Sequence, residues 1–349
     1  MKRRFAVLLA CVGLLVCVHA QAGYSNLFII GDSLSDSGNN AVVFKPLVTP
    51  TSDITNTFVP TFPYASGHYT NGPVWAQLFA SALGLSADPA LLGGTDFAFG
   101  GARTGPFNPG GLLDPTAFPP SLLTQTAALL GSARGPLSTS LFVVAGGGND
   151  ARDALAAIGG GANAALTIST TANQFATNIG TIVDELESAG GRSIVVWNAP
   201  NVGLTPAVRA VGPAAVSLGS TISAAMNAAL SARLASETQV RIFDIFDLVT
   251  EVALDPGAFG LLNVSDACGA SRSCDPSKYL FWDGIHPTSG GHSLIASAML
   301  AAVVSEPPSY VLVLIGFIML MSAMARFSAR LPSQLGRVLK KCDARRPEN

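Results

Sequence analysis

Phe28-Ile29-Ile30-Gly31-Asp32-Ser33-Leu34-Ser35-Asp36-Ser37-Gly38-Asn39 is the stretch on which the reading of this chain turns. With Leu27 ahead of it, it opens as a short continuous apolar run and stops at Gly31-Asp32-Ser33. A run of that length, closed by a turn, is the pattern of a strand buried on both faces. Leu141–Ala145, Ser193–Trp197 and Val240–Ile245 read the same way. Longer, often alanine-rich stretches lie between or beside them: Val74–Leu83, Ser121–Leu130, Thr170–Ala189, Pro213–Ala235 and Ser289–Val304. Strands alternating with helices predict an α/β domain, a parallel sheet flanked by helices. Ligands of such open sheets sit at the carboxyl ends of the strands. Gly31-Asp32-Ser33 falls there, and so does Gly146-Gly147-Gly148-Asn149-Asp150. Asp283-Gly284-Ile285-His286 precedes the last helix, where a loop can bring it to the same edge. Val42 to Pro73 and Gly100 to Pro120 are rich in turn formers and read as long loops over the sheet.

Composition bounds the rest. The 349 residues are 49% hydrophobic and 12% charged, against about 25% charged in an average soluble protein. That excludes a disordered chain. The formal net charge of −2 gives no footing for nucleic-acid binding. The charge is unevenly placed: Lys2, Arg3 and Arg4 open the sequence, and seven basic residues follow Ala325. The part between holds 10 basic and 20 acidic residues. Basic ends around an acidic middle are the pattern of a chain that meets a membrane twice.

Residues 1–22 read as a secretory signal peptide: Lys2-Arg3-Arg4, an apolar run from Phe5 to Val18, and the small-x-small site Ala20-Gln21-Ala22. The alternative is a buried N-terminal helix. Residues 23–306 form one large domain. Residues 307–326 contain an uncharged run from Tyr310 to Ala325, short for a membrane span but more apolar all round than a core helix. A basic tail over 327–349 follows. Glu306-Pro307-Pro308, the apolar run and Arg326 resemble a bacterial PEP-CTERM sorting signal, which implies membrane tethering and a sorting protease as partner. The motif lacks the leading proline, and Phe327 to Asn349 extend past the point where such signals stop. Of five cysteines, Cys11 and Cys17 lie in the leader and Cys342 in the tail. Cys268 and Cys274 remain, and outside the cytoplasm such neighbours form a disulfide. The alternative, a structural metal site, needs two further ligands.

A serine hydroxyl becomes a nucleophile when a base takes its proton and a third group orients that base. His19 lies in the leader, leaving His68, His286 and His292. His286 has Asp283 three residues ahead of it, in Trp282-Asp283-Gly284-Ile285-His286-Pro287-Thr288. His292 falls within a predicted helix and reads as structural; His68 is placed near a site rim. A competing pattern is G-x-G-x-x-A over Gly146 to Ala151 after a strand, a weak dinucleotide fingerprint. The acidic residue expected about 20 positions on is missing, since 165–177 contains none.

Four blocks in order resemble the GDSL, or SGNH, hydrolases: the opening stretch from Phe28 to Asn39, Phe97-Ala98-Phe99-Gly100-Gly101-Ala102, Gly147-Gly148-Asn149-Asp150, and Asp283-Gly284-Ile285-His286-Pro287-Thr288. Tyr69-Thr70-Asn71-Gly72-Pro73-Val74-Trp75 and Asn201-Val202-Gly203-Leu204-Thr205-Pro206 are linking segments of the same likeness. The resemblance implies a flavodoxin-like α/β fold, with Ser33 as nucleophile, His286 as general base and Asp283 as its orienting carboxylate. It implies an oxyanion hole from the Ser33 and Gly101 N–H groups and the Asn149 amide. Gly100 is the alternative donor to Gly101. Asp32 is expected to brace its loop, and Asp96 stands where many members have asparagine. No metal or organic cofactor is implied. The expected reaction is hydrolysis of carboxylic esters through an acyl-enzyme on Ser33, with a lipid-like acyl ester as substrate. The alternatives are a polysaccharide deacetylase, a phospholipase or acyltransferase of the same fold, and an inactive surface-anchored binding protein. The expected location is outside the cytoplasm of a bacterium.

Overall fold

Leu27–Gly31, Leu141–Ala145 and Ser193–Trp197, three strands of the central sheet, are buried almost throughout, whereas the edge strand Val240–Phe243 leaves Arg241 and Ile242 exposed. The computed structural model describes residues 23–43, 67–106, 118–132, 135–270, 273–304 and residue 321. The leader, the 307–326 segment apart from Met321, the basic tail and most of both long loops lie outside the described residues. Among the described residues no helix is long and apolar enough to cross a membrane.

In chain order the principal elements are β1 (Leu27–Gly31), α1 (Asn39–Val43), α2 (Trp75–Ala82), α3 (Leu122–Ser132), β2 (Leu141–Ala145), α4 (Gly148–Gly159), α5 (Ala164–Ser188), β3 (Ser193–Trp197), α6 (Pro206–Val211), α7 (Pro213–Arg233), β4 (Val240–Phe243), α8 (Ile245–Leu254), β5 (Asn263–Ala267), β6 (Tyr279–Phe281) and α9 (Ser289–Val303). β1 to β4 form one parallel sheet in the order β1-β2-β3-β4, with Leu27 opposite Leu141 and Ile194 opposite Val240. β5 and β6 form a second, two-stranded parallel sheet.

Side chains alternate across a strand, so each strand feeds both faces of the sheet. Phe28, Ile30, Phe142, Val144, Ile194 and Val196 share one core with Leu122 and Leu129 of α3, Phe175 and Ile179 of α5, and Ile222 and Met226 of α7. On another part of the fold Trp197 packs on Trp75 of α2, ring centroids 4.6 Å apart, and donates its indole N–H to Met299 Sδ of α9 at 3.1 Å. The outer edge of β1 is covered by the segment 95–99. Ile29 N–H donates to Thr95 O, Phe97 N–H to Ile29 O and Phe99 N–H to Gly31 O, in parallel register. That cover carries Gly100 and Gly101 to the carboxyl end of β1, beside Ser33.

Several boundaries differ from the sequence reading. β4 ends at Phe243 rather than Ile245, because Asp244 accepts the Asp247 N–H at 2.9 Å and starts α8. α5 begins at Ala164 rather than Thr170, capped by Asn163, whose side chain accepts the Leu166 N–H. α4, α8 and the β5–β6 pair are additional elements.

Candidate active site

Gly31 closes β1 where a Cβ would press on Ala145 O and Ser35 Oγ, both 2.8 Å from its position. The chain then turns tightly: Ser35 and Asp36 both donate N–H to Asp32 O at 3.0 Å, and Asp32 Oδ1 accepts the Leu34 N–H. Ser33 sits on this turn. Asp32 thus holds its own loop, and burial pushes its carboxyl up to about 6 against the Leu34 hydrogen bond.

The partner of Ser33 arrives from the far end of the fold. Trp282 N–H donates to His286 O at 2.8 Å, closing the turn that holds Asp283 and His286. Asp283 Oδ1 accepts N–H from Ile285 at 2.7 Å and His286 at 2.6 Å. Its Oδ2 lies 2.5 Å from His286 Nδ1, and His286 Nε2 lies 2.8 Å from Ser33 Oγ. Burial works to raise Asp283, but His286 and the backbone N–H bonds prevail and hold its carboxyl below the usual range. An ionised Asp283 keeps the proton on Nδ1 and leaves Nε2 as the acceptor for the serine proton. All three groups are buried.

The third contributor is α4, which starts directly after β2. Gly147 adopts φ +104°, which favours glycine, and lets the chain turn into the helix. Asn149 then lines the same pocket as Ser33 and His286. The glycine run that fits a weak dinucleotide fingerprint therefore sets the Asn149 side chain on the pocket that Ser33 also lines. Asn149 Nδ2 donates to Ala102 O at 2.9 Å, and Arg152 Nη1 donates to Asn149 Oδ1 at 3.4 Å. Gly101 has φ +84°. Gly100 N–H is taken by Asp36 Oδ2 at 2.9 Å, whereas among the described residues no acceptor is recorded for the N–H of Gly101 or Ser33. Between the two glycines, that difference favours Gly101 as a donor to a ligand.

The pocket lined by Ser33, Asn149 and His286 has a volume of about 70 Å³, and neither Gly100 nor Gly101 is part of its lining. Its walls are mostly apolar, including Leu34, Val202, Ile245, Val249 and Ile285, with Arg152 as a cation on its lining.

Residues 27–299 match the model of the GDSL-like lipase/acylhydrolase family. The chain belongs to that family. It is 31% identical to Esterase EstA of Pseudomonas aeruginosa and, equally, of Pseudomonas putida, over 79% of its own length and 46% of theirs. It spans about half the length of those two relatives. A GDSL esterase/lipase of Arabidopsis thaliana is 25% identical over 85% of this chain and 96% of that protein.

Among GDSL features that the sequence reading left without a role, three side chains stand out. Asp36 accepts N–H groups from Gly38, Asn39 and Gly100. Asn40 donates to Tyr69 Oη at 2.6 Å and to Gly100 O at 3.1 Å. Tyr69 lies against His286, ring centroids 5.2 Å apart. Asp36 lies within the first block and Tyr69 within the Tyr69–Trp75 linking segment, whereas Asn40 directly follows the first block and belongs to neither motif. Asp96 is buried, with Oδ1 accepting Ala98 N–H and Oδ2 accepting Ser37 N–H, so it ties the first two blocks together. His68 Nε2 lies 3.1 Å from Ser37 O. His292 lies in α9, with Nδ1 accepting the Trp75 N–H at 3.1 Å. Cys268 and Cys274 are bonded, Cα atoms 5.6 Å apart, and the Gly269 N–H donates to Trp282 O, next to Asp283.

Proposed function

We propose that the chain is a serine ester hydrolase that works through an acyl-enzyme on Ser33. The observation that carries this reading is the continuous line Asp283 Oδ2–His286 Nδ1 and His286 Nε2–Ser33 Oγ, at 2.5 and 2.8 Å. Ser33 Oγ attacks the ester carbonyl while His286 Nε2 takes the hydroxyl proton, and the carbonyl electron pair moves onto oxygen. The N–H groups of Ser33 and Gly101 and the Asn149 amide receive that oxyanion. When the tetrahedral adduct collapses, the C–O bond to the alcohol breaks and His286 returns the proton to the leaving oxygen. Water, deprotonated by the same imidazole, then releases the acid and restores Ser33.

The apolar lining supports an acyl group as the bound part of the substrate, lipid-like rather than sugar-like. The leader pattern over 1–22 and the Cys268–Cys274 bond support a place outside the cytoplasm. The hydrophobic run over 307–326, followed by basic residues, supports a membrane tether, and its PEP-CTERM likeness supports a sorting protease as partner.

The test uses the purified full chain in mild detergent, beside Ser33→Ala. Both receive p-nitrophenyl esters of graded chain length and a fluorophosphonate label with mass mapping. Turnover and an adduct on Ser33, both absent from Ser33→Ala, are expected. A folded protein without turnover or adduct would be a binding protein, and the reading would be wrong.

A further inference from the structure

A backbone N–H cannot be re-aimed by its own side chain, least of all at a glycine. What fixes the direction of the Gly101 N–H is therefore the peptide unit it shares with Gly100. That unit is planar and trans, so the Gly100 C=O and the Gly101 N–H point in opposite directions. The Gly100 C=O accepts the Asn40 side-chain amide at 3.1 Å. The preceding Gly100 N–H is bonded to Asp36 Oδ2 at 2.9 Å. Both anchors come from one short stretch after Ser33, which binds the loop carrying Gly101 to the loop carrying the nucleophile.

We propose that Asn40 is a positioning residue: it holds the Gly100–Gly101 peptide plane so that the Gly101 N–H faces the oxyanion. The inference deepens the function given above and rests on it, since Gly101 has to be an oxyanion donor for Asn40 to matter in this way. The orientation of the Asn40 amide follows from its partners. A flip would set Oδ1 against the Gly100 carbonyl, acceptor to acceptor. With the nitrogen on Gly100 O, Oδ1 is buried and no donor among the described residues bonds it. The amide is therefore committed through its two N–H groups, one to Gly100 O and one to Tyr69 Oη.

Tyr69 completes the device. Its ring covers Gly100 so closely that a Cβ at position 100 would collide with it. The same ring lies against His286. One aromatic side chain thus backs the general base and the oxyanion loop together, and its hydroxyl oxygen receives the Asn40 amide.

The experiment compares the full chain with Asn40→Ala, Asn40→Asp and Tyr69→Phe, each first checked by thermal melting. Steady-state turnover is measured on a matched pair, an ester and its thionoester, which places sulfur where the oxyanion would be. Sulfur is larger and a poorer acceptor, so a well-aligned hole favours the oxygen ester strongly, and a misaligned one discriminates less. Removing a direct oxyanion donor costs about 10²–10³ in kcat, so losing its alignment in Asn40→Ala is expected to cost roughly 10–100-fold in kcat with KM changed less than about threefold. The oxygen-to-sulfur rate ratio should shrink in parallel. Tyr69→Phe, which keeps the ring and removes the oxygen that receives Asn40, should move both quantities the same way by a smaller factor. Wild-type kcat and ratio in Asn40→Ala would overturn the inference, as would a fall in kcat with the ratio intact. If neither Asn40 variant folds, Tyr69→Phe decides by the same two readouts. Failure of the parent reading looks different: wild type would then lack Ser33-dependent turnover altogether, and this inference would fall with it.

Discussion

Asn149 donates one amide proton to the carbonyl oxygen of Ala102 at 2.9 Å, which ties the start of α4 to the residue after Gly101. A primary amide has two such protons, so the second remains for a ligand in the pocket that Asn149 lines. Arg152 on Asn149 Oδ1 keeps the nitrogen on that side. Asn149→Ala is expected to lower kcat by about 10²–10³ with little change in KM, as for loss of one oxyanion donor. Steady-state kinetics on a short-chain ester measure it, and an unchanged kcat would remove Asn149 from the reaction.

Asp283 does two jobs with separate oxygens. Oδ1 holds the turn through two backbone N–H groups, and Oδ2 holds His286 Nδ1. Asp283→Asn can keep the first with its remaining oxygen, but its NH₂ then meets a ring nitrogen that should be N–H. The imidazole is driven to the other tautomer, with the proton on the side facing Ser33. A loss on the order of 10³–10⁴ in kcat is expected, with the melting temperature nearly unchanged. A variant within tenfold of wild type would show that the carboxylate charge is dispensable.

His292 makes a pH prediction of its own. Burial, seconded by the neighbouring histidines, pulls it down from 6.5 to about 3. The unfolded chain takes up this proton below about pH 6.5 and the folded chain does not, so stability falls as pH falls through that window, by about 1.4 kcal/mol per pH unit. His292→Gln does not titrate there, and its amide oxygen can still accept the Trp75 N–H. The melting-temperature advantage of wild type over His292→Gln should therefore shrink between about pH 7.5 and about pH 5. A gap that stays constant across that range would place a protonated imidazole in the folded protein.

The Cys268–Cys274 bond closes a short loop, with a sequence separation of 6. Closure of so small a loop limits the unfolded chain by about 2 kcal/mol. The Cys268→Ser, Cys274→Ser double variant should lose about that much in denaturant unfolding. Because Gly269 is bonded to Trp282 O, beside Asp283, kcat should also fall modestly. Equal unfolding midpoints with and without reductant would show that the bond contributes nothing.

β1, β2 and β3 are legible because they are buried on both faces, and Leu141–Ala145 coincides with its apolar run to the residue. β4 was misread at its end because Val240 to Phe246 is apolar at most positions, and only the capping geometry of Asp244 separates strand from helix. α4 escaped because glycine bounds it and its first turn reads Gly148-Asn149-Asp150, which periodicity reads as a turn. β5 was invisible for the opposite reason: Asn263-Val264-Ser265-Asp266-Ala267 carries no apolar pattern. Ser33, Asp283 and His286 could be singled out from motif likeness, and the structure brings the three within hydrogen-bond distance. Asn40 and Asp36 could not be given roles, because they act on backbone atoms of Gly100 and nothing in a side-chain pattern shows where a peptide plane points.

Ser33 and His286 stand 253 positions apart in the chain. During synthesis the serine emerges long before its base, by roughly 10–50 s at ordinary translation rates. Until the turn at Asp283 closes, Ser33 Oγ lacks the contact with His286 Nε2 that it has in the folded protein. On the proposed roles, reactivity toward esters is thus acquired at the end of folding, when the Ser33–His286 contact forms.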